Sequence, residues 1–386
     1  MAIQLFVPRF HVDECLEQIR ECLEKGWTGM GFKTLEMEAA WKSYTGLANA
    51  HFLSSNTAGL HLALEVFRRR FGWQEEDEII TTPLTFVSSN HAILYAGLKP
   101  VFADVDEYLC LDPQSVRDRI TPRTRAVMFV GLGGNSGQYE AIRDLCREHG
   151  LKFILDAAHM SGTRIDGRHA GHEADVSVFS FQAVKNLPTA DSGMICFAEE
   201  EDDAAVRKLS WLGINKDTFS RTAAQGDYKW MYDVETLGYK YHGNSIMAAI
   251  ALVQLKYLDE ENTYRRQLAA WYEEALQGGD VGLVRVAANC QSSRHLFQVL
   301  VPRRNETLAQ LNARQIFPGV HYRDNTEYSL YASGAGTCPR AAQASNSIIS
   351  LPLHLSMTRE DVGTVAENLR DIVSQASPTG TGRISA

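Results

Sequence analysis

Paired cysteines, basic tracts and long apolar runs are all missing from this chain of 386 residues. Its seven cysteines form no Cys-x-x-Cys pair and are odd in number. That pattern argues against a disulfide framework and against a structural zinc site. We therefore expect a reduced, cytoplasmic protein that holds no metal.

The charge balance disfavours nucleic acid as a partner, because the formal net charge is −9 and no Lys/Arg-rich stripe offsets it. No apolar run approaches the ~20 residues of a membrane span. The first ten residues also lack the apolar core and cleavage site of a signal peptide. We expect neither a nucleic acid nor a membrane as partner. The hydrophobic content of 45% is that of an ordinary globular protein.

Most of the chain alternates between short apolar runs and helical periodicity. The runs predict strands at 77–82, 99–105, 126–130, 151–155, 176–179 and 193–197. Helices are predicted at 12–23, 35–44, 60–70, 86–96 and 139–149, with a short one opening at Asp112-Pro113. Strands separated by helices of about ten residues indicate βαβ units and a largely parallel sheet.

The pattern changes after a long helix predicted from residue 246 to residue 276. A strand at 292–301 and helices at 307–313 and 362–374 follow it. We predict a large α/β domain over residues 1–245 and a smaller α+β domain over residues 246–376. The Ser/Thr/Gly-rich tail at 377–386 is predicted to be disordered.

A lysine and an aspartate that follow two predicted strands carry the strongest chemical signal. Asp156 closes one apolar run, and Lys185 stands five residues beyond the hydroxyl of Ser180, which closes another. A lysine amine can form a Schiff base with an aldehyde cofactor while an acid keeps the cofactor's pyridine nitrogen protonated. Taken alone, each residue is more readily explained as an exposed charge.

Three further segments have two readings each. The small residues at 54–59 lead into a helix, whose first N–H groups favour a phosphate, although the same residue types serve as helix caps. Phe86 follows a strand, and an aromatic residue in that position is expected either to stack on a planar ligand ring or to pack in the core. The glycines at 131–137 imitate a dinucleotide-binding loop, but Ser136 takes the place of the third glycine, so we interpret them as a turn.

Taken in order, these segments resemble the sugar aminotransferases of the DegT/DnrJ/EryC1/StrS family, which use pyridoxal 5'-phosphate (PLP) and have fold type I. The matching stretches run in family order over nearly the whole chain. Asp-Ala-Ala-His at 156–159 and Ser-Phe-x-x-x-Lys-Asn at 180–186 are the most specific. The resemblance implies a largely parallel seven-stranded sheet with helices on both faces and a smaller C-terminal α+β domain.

The resemblance also implies roles for individual residues. Catalysis would rest on Lys185, which bonds to PLP, and on Asp156, which pairs with its pyridine nitrogen. The other expected cofactor contacts are Phe86 on the ring, His159 near the phenolic oxygen, and Asn56, Thr57, Ala58, Ser180 and Lys240 at the phosphate. Lys240 would act across a dimer interface, where the family often has Asn. The expected substrate contacts are Thr28, Asn186, His321, Tyr322 and Arg323. Arg323 would take a carboxylate or form a surface ion pair.

The implied reaction is transamination through the PLP and PMP forms of the cofactor, in a homodimer with shared active sites. Glutamate is the expected donor, and a keto or aldehyde sugar is the acceptor. That sugar is nucleotide-linked, or a free sugar acid such as an 8-oxo-octulosonate (a Kdo derivative) of lipopolysaccharide or amino-sugar biosynthesis. Two alternatives stay open: a PLP-dependent sugar dehydratase of the same family, and a non-catalytic sensory homologue.

Overall fold

The computed structural model describes residues 2–214 and 232–376, so the predicted disorder of residues 377–386 lies outside the described residues. The helices are α1 (Val12–Glu24), α2 (Phe32–Thr45), α3 (Asn56–Phe71), α4 (Val87–Tyr95), α5 (Pro113–Arg117), α6 (Tyr139–His149), α7 (Glu200–Ser210), α8 (Ser245–Leu276), α9 (Arg304–Ala313), α10 (Pro339–Ser347) and α11 (Arg359–Ala376). In the described ranges, none of them is long and apolar enough to cross a membrane.

The strands are β1 (Ile3–Gln4), β2 (His51–Leu53), β3 (Glu78–Thr81), β4 (Lys99–Phe102), β5 (Thr124–Val130), β6 (Lys152–Asp156), β7 (Arg164–Ile165), β8 (Arg168–His169), β9 (Val176–Ser180), β10 (Gly193–Phe197), β11 (Gly282–Leu283), β12 (Cys290–Gln291), β13 (Phe297–Leu300), β14 (Ile316–Phe317) and β15 (Ile348–Leu351). Seven of them form the main sheet in the order β2-β10-β9-β6-β5-β3-β4. Only β10 runs antiparallel to its neighbours in that sheet. The predicted α/β fold with a largely parallel seven-stranded sheet is confirmed.

Both faces of the main sheet are covered by helices, because successive strand residues point to opposite sides. Ile79 packs in the cluster that contains α3, whereas Ile80 packs in the cluster that contains α2 and α6. The full burial of β3, β6 and β9 at nearly every position explains why their sequences are continuously apolar.

Several elements escaped the sequence pattern for local reasons. β2 has only three residues, too few for a period to show. α7 opens on four acidic residues, and α10 is built from small and polar ones, so neither has an apolar stripe. The strand predicted at 292–301 is confined to β13, because Ser293 before it turns towards other loops and donates a hydrogen bond to the carbonyl of His159 (2.7 Å).

The C-terminal part of the chain has its own hydrophobic cluster around the antiparallel sheet β11-β13-β15. α8 belongs to two clusters, since Ala248 and Leu258 pack with the main sheet while Leu268 and Tyr272 pack in the C-terminal cluster. The predicted division after residue 245 remains a prediction, and we propose that this long helix connects the two domains.

Candidate active site

A cavity of about 370 Å³ lies at the edge of the main sheet where the parallel strands end. Val130, Asp156 and Ser180 are the last residues of β5, β6 and β9, and all three line it. Helix starts and C-terminal loops complete the walls with Asn56, Thr57, Phe86, Ser89, His159, Lys185, His295, His321 and Tyr322. The topology therefore gathers residues that are far apart in sequence at the place where open α/β sheets bind ligands.

Asp156 presents a buried carboxylate, only 3% exposed, to this cavity. Its Oδ2 accepts a hydrogen bond from Ser89 Oγ (2.7 Å), and its Oδ1 accepts hydrogen bonds from Ala158 N (3.1 Å) and Asn56 Nδ2 (3.3 Å). Burial raises the pKa of Asp156, although these donors and the charge of Lys185 oppose the change. A cationic N–H group brought into the cavity would stabilise the ionised carboxylate.

Lys185 lines the same cavity, where burial lowers its pKa to about 8. The charge of Asp156 opposes that change. With such a pKa, about a tenth of the amine is neutral at pH 7, compared with well under a thousandth for an exposed lysine. A tight turn holds the residue, because Lys185 N donates to the carbonyl of Gln182 (2.8 Å) and Val184 N donates to Gln182 Oε1 (3.0 Å). The site therefore offers a nucleophilic amine.

The start of α3 borders the cavity, and it is capped by a side chain but keeps backbone N–H groups without a helical acceptor. Ser55 Oγ accepts from Ala58 N (3.1 Å), so the structural role of this segment is present and the Ala58 N–H is already used. The N–H groups of Asn56 and Thr57 precede any helical carbonyl that could accept from them. Asn56 also donates its side-chain amide to the carbonyl of Val178 (2.9 Å), which links the helix start to β9.

His159 is neutral, and its hydrogen bonds define which ring nitrogen carries the proton. Its Nδ1 accepts from Gly133 N (3.1 Å), so the proton lies on Nε2, which donates to the hydroxyl of Tyr322 (3.1 Å). Burial, followed by the charge of Lys185, holds the pKa of His159 well below its usual range. Tyr322 then has its own O–H free to donate towards the cavity that it lines.

Phe86 and His321 also border the cavity. The ring of Phe86 is 58% exposed and lies 6.0 Å from that of Tyr322, so it is available to stack on a planar group. A hydrogen bond of 2.9 Å joins Nδ1 of His321 to Oγ of Ser350. Burial lowers the pKa of His321 to about 4, so this imidazole is neutral at physiological pH.

Besides Ala58, whose N–H donates to Ser55, four expected contacts lie outside the cavity lining of their own chain. Asn186 is buried and donates its amide to Asn262 Oδ1 (2.7 Å) and the carbonyl of Ser293 (2.8 Å). Arg323 is exposed and pairs with Glu327 at 2.6 Å, as the ion-pair alternative predicted. Thr28 and Lys240 are also exposed, and the Lys240 ammonium lies 3.4 Å from the centroid of the Trp211 ring.

Two residues of the site escaped sequence reasoning. Ser89 is an ordinary small residue of α4, and only its bond to Asp156 distinguishes it. His295 lies beside His159 with ring centroids 4.4 Å apart, and its Nδ1 is 3.0 Å from Asn186 Oδ1. Since both amide hydrogens of Asn186 are used elsewhere, its oxygen accepts from His295. Neither residue stands in a motif that could have revealed it.

The chemistry of this donor set fits one cofactor. A buried carboxylate, a partly neutral lysine, an exposed aromatic ring and a helix start with hydroxyl groups surround one cavity. They suit a pyridine nitrogen, an aldehyde, a planar ring and a phosphate, respectively. The fold and this site define a PLP-dependent enzyme of fold type I.

Comparison with known proteins agrees with this class. Residues 11–370 match the DegT/DnrJ/EryC1/StrS aminotransferase family, and the chain belongs to that family. It is a PLP-dependent sugar aminotransferase, as the resemblance predicted, acting on a keto sugar with an amino donor. The predicted family, enzyme class and cofactor are thereby confirmed.

Three relatives illustrate the similarity. SpsC of Bacillus subtilis (strain 168), a spore coat polysaccharide biosynthesis protein, is 34% identical over 94% of this chain and 95% of its own. The structure of the aminotransferase TlmJ from Streptoalloteichus hindustanus has a TM-score of 0.89 at 31% identity, over 98% of this chain and 100% of TlmJ. Spr1654 of Streptococcus pneumoniae, in its PMP form, has a TM-score of 0.87 at 26% identity, over 96% of this chain and 99% of Spr1654. Spr1654 is also known in a PLP form.

Proposed function

We propose that this enzyme transfers the amino group of L-glutamate to the carbonyl of a sugar used in surface polysaccharide or amino-sugar biosynthesis. The observation that carries the reaction is the shared cavity of Lys185 and Asp156. The polysaccharide context rests on the similarity to SpsC. The acceptor is a nucleotide-linked keto sugar or a free sugar acid such as an 8-oxo-octulosonate of lipopolysaccharide, and the free thiols suit a reducing cytoplasm.

In this proposal each wall of the cavity holds one part of PLP. Asp156 receives the pyridine nitrogen, Phe86 lies against the ring, and His159 lies near the phenolic oxygen. The phosphate is held at the start of α3 by the N–H groups of Asn56 and Thr57 and by the hydroxyl of Ser180. When bound, PLP supplies an aldehyde carbon for bonding to amines and a ring that accepts electrons from the substrate carbon.

The side chains of the chain then divide the proton chemistry. Lys185 would hold the cofactor through its neutral amine, and its free amine would accept a proton from the reacting carbon of the substrate and return it during the transfer. Asp156 keeps the pyridine nitrogen protonated through charge. Tyr322, which receives a hydrogen bond from His159, directs its O–H towards the substrate. Glutamate leaves as 2-oxoglutarate before the sugar enters, so the kinetics are ping-pong.

We further propose a homodimer with shared active sites. Lys240 and Thr28 do not line the cavity of their own chain, so a role for them at a phosphate or substrate requires the partner's cavity. Exposed apolar side chains lie around α3 and α4, including Leu237 (79% exposed) and Tyr95 (58%). The ring of His61 in α3 lies 5.7 Å from that of Tyr95 and 4.8 Å from that of Tyr239, two residues after Leu237. Apolar surface of this kind marks interfaces.

The test begins with the purified protein loaded with PLP. L-Glutamate should bleach the visible absorbance band of the bound cofactor and release 2-oxoglutarate in equal amount. The PMP-loaded enzyme is then offered nucleotide-linked 4-keto sugars and 8-oxo-octulosonate, and mass spectrometry identifies the aminated product. A protein that retains its absorbance with every amino acid would contradict the proposal, and release of water instead of amination would favour the dehydratase alternative.

A further inference from the structure

A second, smaller space adjoins the cofactor cavity and contains a buried arginine. Phe6, Lys185 and His295 line both spaces, so the two are contiguous at the reactive lysine. The smaller one measures about 20 Å³, which is room for about one water-sized group. Arg265 and Glu261, from consecutive turns of α8, lie in its lining.

The positive charge of Arg265 is buried and has few partners that could stabilise it. Its side chain is 11% exposed, and its Nη1 lies 3.9 Å from Glu261 Oε2, which is longer than a hydrogen bond. That nitrogen is buried and has no hydrogen-bond partner in residues 2–214 and 232–376. Burial lowers the pKa of the guanidinium to about 10 while Glu261 opposes the change, so Arg265 is protonated at neutral pH. A buried, charged donor that lacks a hydrogen bond and has only a distant carboxylate beside it points to an anion that completes the site.

Arg266, the next residue of α8, and Arg323 do not share this property. Arg266 donates from Nη2 to Thr263 Oγ1 (2.7 Å) and from Nη1 to the carbonyl of Ser292 (3.4 Å). Arg323 is bound to Glu327 on the surface. Glu261 is itself shared, because its Oε1 lies 3.4 Å from His11 Nε2. Arg9 and Arg265 both line the small space, but Arg9 is exposed to solvent, whereas Arg265 has a buried nitrogen that still lacks a hydrogen-bond partner in residues 2–214 and 232–376.

We propose that Arg265 binds a carboxylate of the substrate during transamination, an inference that rests on the proposed function. The small space admits a carboxylate oxygen entering from the larger cavity but has no room for a sugar ring. A guanidinium pairs with carboxylates through its planar fork of donors. The carboxylate belongs to the amino acid donor, which leaves as a keto acid, or to a free sugar acid.

The experiment measures a single turnover of the PLP-loaded enzyme with L-glutamate. The bleaching of the cofactor absorbance reports the reaction. Arg265→Gln should raise the half-saturating glutamate concentration by about 30-fold or more, the usual effect of removing one partner of a buried charge pair. Arg265→Lys should recover part of this loss. Arg266→Gln, one residue further along α8, should match the wild type. The rate of PLP capture should stay unchanged in all three variants.

A second arm separates the two sources of the carboxylate. Binding of Kdo, the octulosonate itself, to the PMP form is measured in the same variants. Weaker Kdo binding with unchanged glutamate saturation assigns Arg265 to a sugar acid, whereas the reverse result assigns it to the amino donor. Half-saturation within twofold of wild type for both probes would overturn the site.

Two controls separate loss of the carboxylate site from unfolding of the variant and from failure of the proposed transamination. If Arg265→Gln unfolds because it leaves Glu261 unpaired, the double variant Arg265→Met with Glu261→Gln removes both charges and takes its place in both arms. A wild-type enzyme that reacts with no amino acid would contradict transamination itself, regardless of Arg265. Wild-type turnover combined with unaffected variants would contradict only the carboxylate site.

Discussion

At the residue scale, burial moves the pKa values of Lys185 and Asp156 towards each other. It lowers the pKa of the amine to about 8 and raises that of the carboxyl group, while their mutual attraction acts in the opposite direction. Both residues therefore depend on the cavity for their reactivity. Removing either charge changes the protonation of the other, so their variants are not additive.

The pKa of Lys185 predicts how the apoenzyme captures PLP. Only the neutral amine attacks the aldehyde, so the rate should rise about tenfold per pH unit below about 8 and level off above it. Stopped-flow absorbance after mixing with PLP measures this rate. Lys185→Arg, which keeps the positive charge, should form no covalent link, and mass spectrometry after borohydride reduction should find no labelled peptide. Capture that does not vary with pH would contradict the assigned amine.

The charge of Asp156 predicts a loss of turnover without loss of the cofactor. Asp156→Asn keeps an acceptor for Ser89 but removes the carboxylate, so kcat should fall by about 10²- to 10³-fold, as when one preorganised electrostatic group is removed. Ser89→Ala removes one hydrogen bond to the carboxylate and should cost roughly tenfold. Steady-state kinetics with glutamate measure both effects. Equal activity of Asp156→Asn and wild type would refute the role of the charge.

At the element scale, close packing of β10 against the start of α3 positions the phosphate end of the site. Gly193 has no room for a side chain, since a Cβ there would lie 2.8 Å from Asn56 N and 2.7 Å from the carbonyl oxygen of Phe179. Both neighbours are backbone atoms of the sheet and helix, which cannot move independently. The small residue thus allows the helix start to approach the end of β9.

Two glycine variants test this packing. Gly193→Ala should lower the free energy of unfolding by about 1–3 kcal/mol through overpacking and weaken PLP binding. Gly363→Ala is the matched control, because its site in α11 is open to solvent and alanine should stabilise the helix by about 0.5–1 kcal/mol. Urea unfolding of the apoenzymes measures both. Equal stability of Gly193→Ala and wild type would show that β10 can shift without cost.

At the scale of the whole molecule, the proposed homodimer brings Lys240 of one chain to the cavity of the other. In a single chain this ammonium lies against the Trp211 ring instead. A shared site predicts complementation between inactive variants. Each mixed dimer of Lys185→Ala and Lys240→Ala would contain one site with both defects and one intact site.

The predicted result is recovery of about a quarter of wild-type activity when equal amounts of the two variants are unfolded and refolded together, since half of the dimers are mixed. Each variant alone should be nearly inactive, and glutamate turnover measures all three samples. Light scattering should give twice the mass of the chain. Absence of recovery from a refolded dimer would contradict shared sites.

The sequence predicted the α/β fold, the order of most elements and the pairing of Lys185 with Asp156. These depend on local information, because apolar runs mark buried strands and the carboxyl ends of parallel strands meet at one edge. Elements without an apolar stripe, such as α7 and α10, were missed for the same reason. The carboxylate role of Arg323 came from the resemblance to the family and remains a prediction, while in the single chain this arginine pairs with Glu327, four residues away.

Only the tertiary structure could reveal Ser89, His295 and Arg265. Each lies in an ordinary stretch of chain and is distinguished only by a distant residue. Ser89 bonds to Asp156, 67 residues away, and His295 bonds to Asn186, 109 residues away. Arg265 lines the same small space as Lys185, which is 80 residues away. The sequence determined which chemistry the chain carries, since lysine and aspartate at strand ends are local features. Packing decided how reactive those groups are and which donors remain unpaired, because burial and hydrogen bonding are properties of the folded chain.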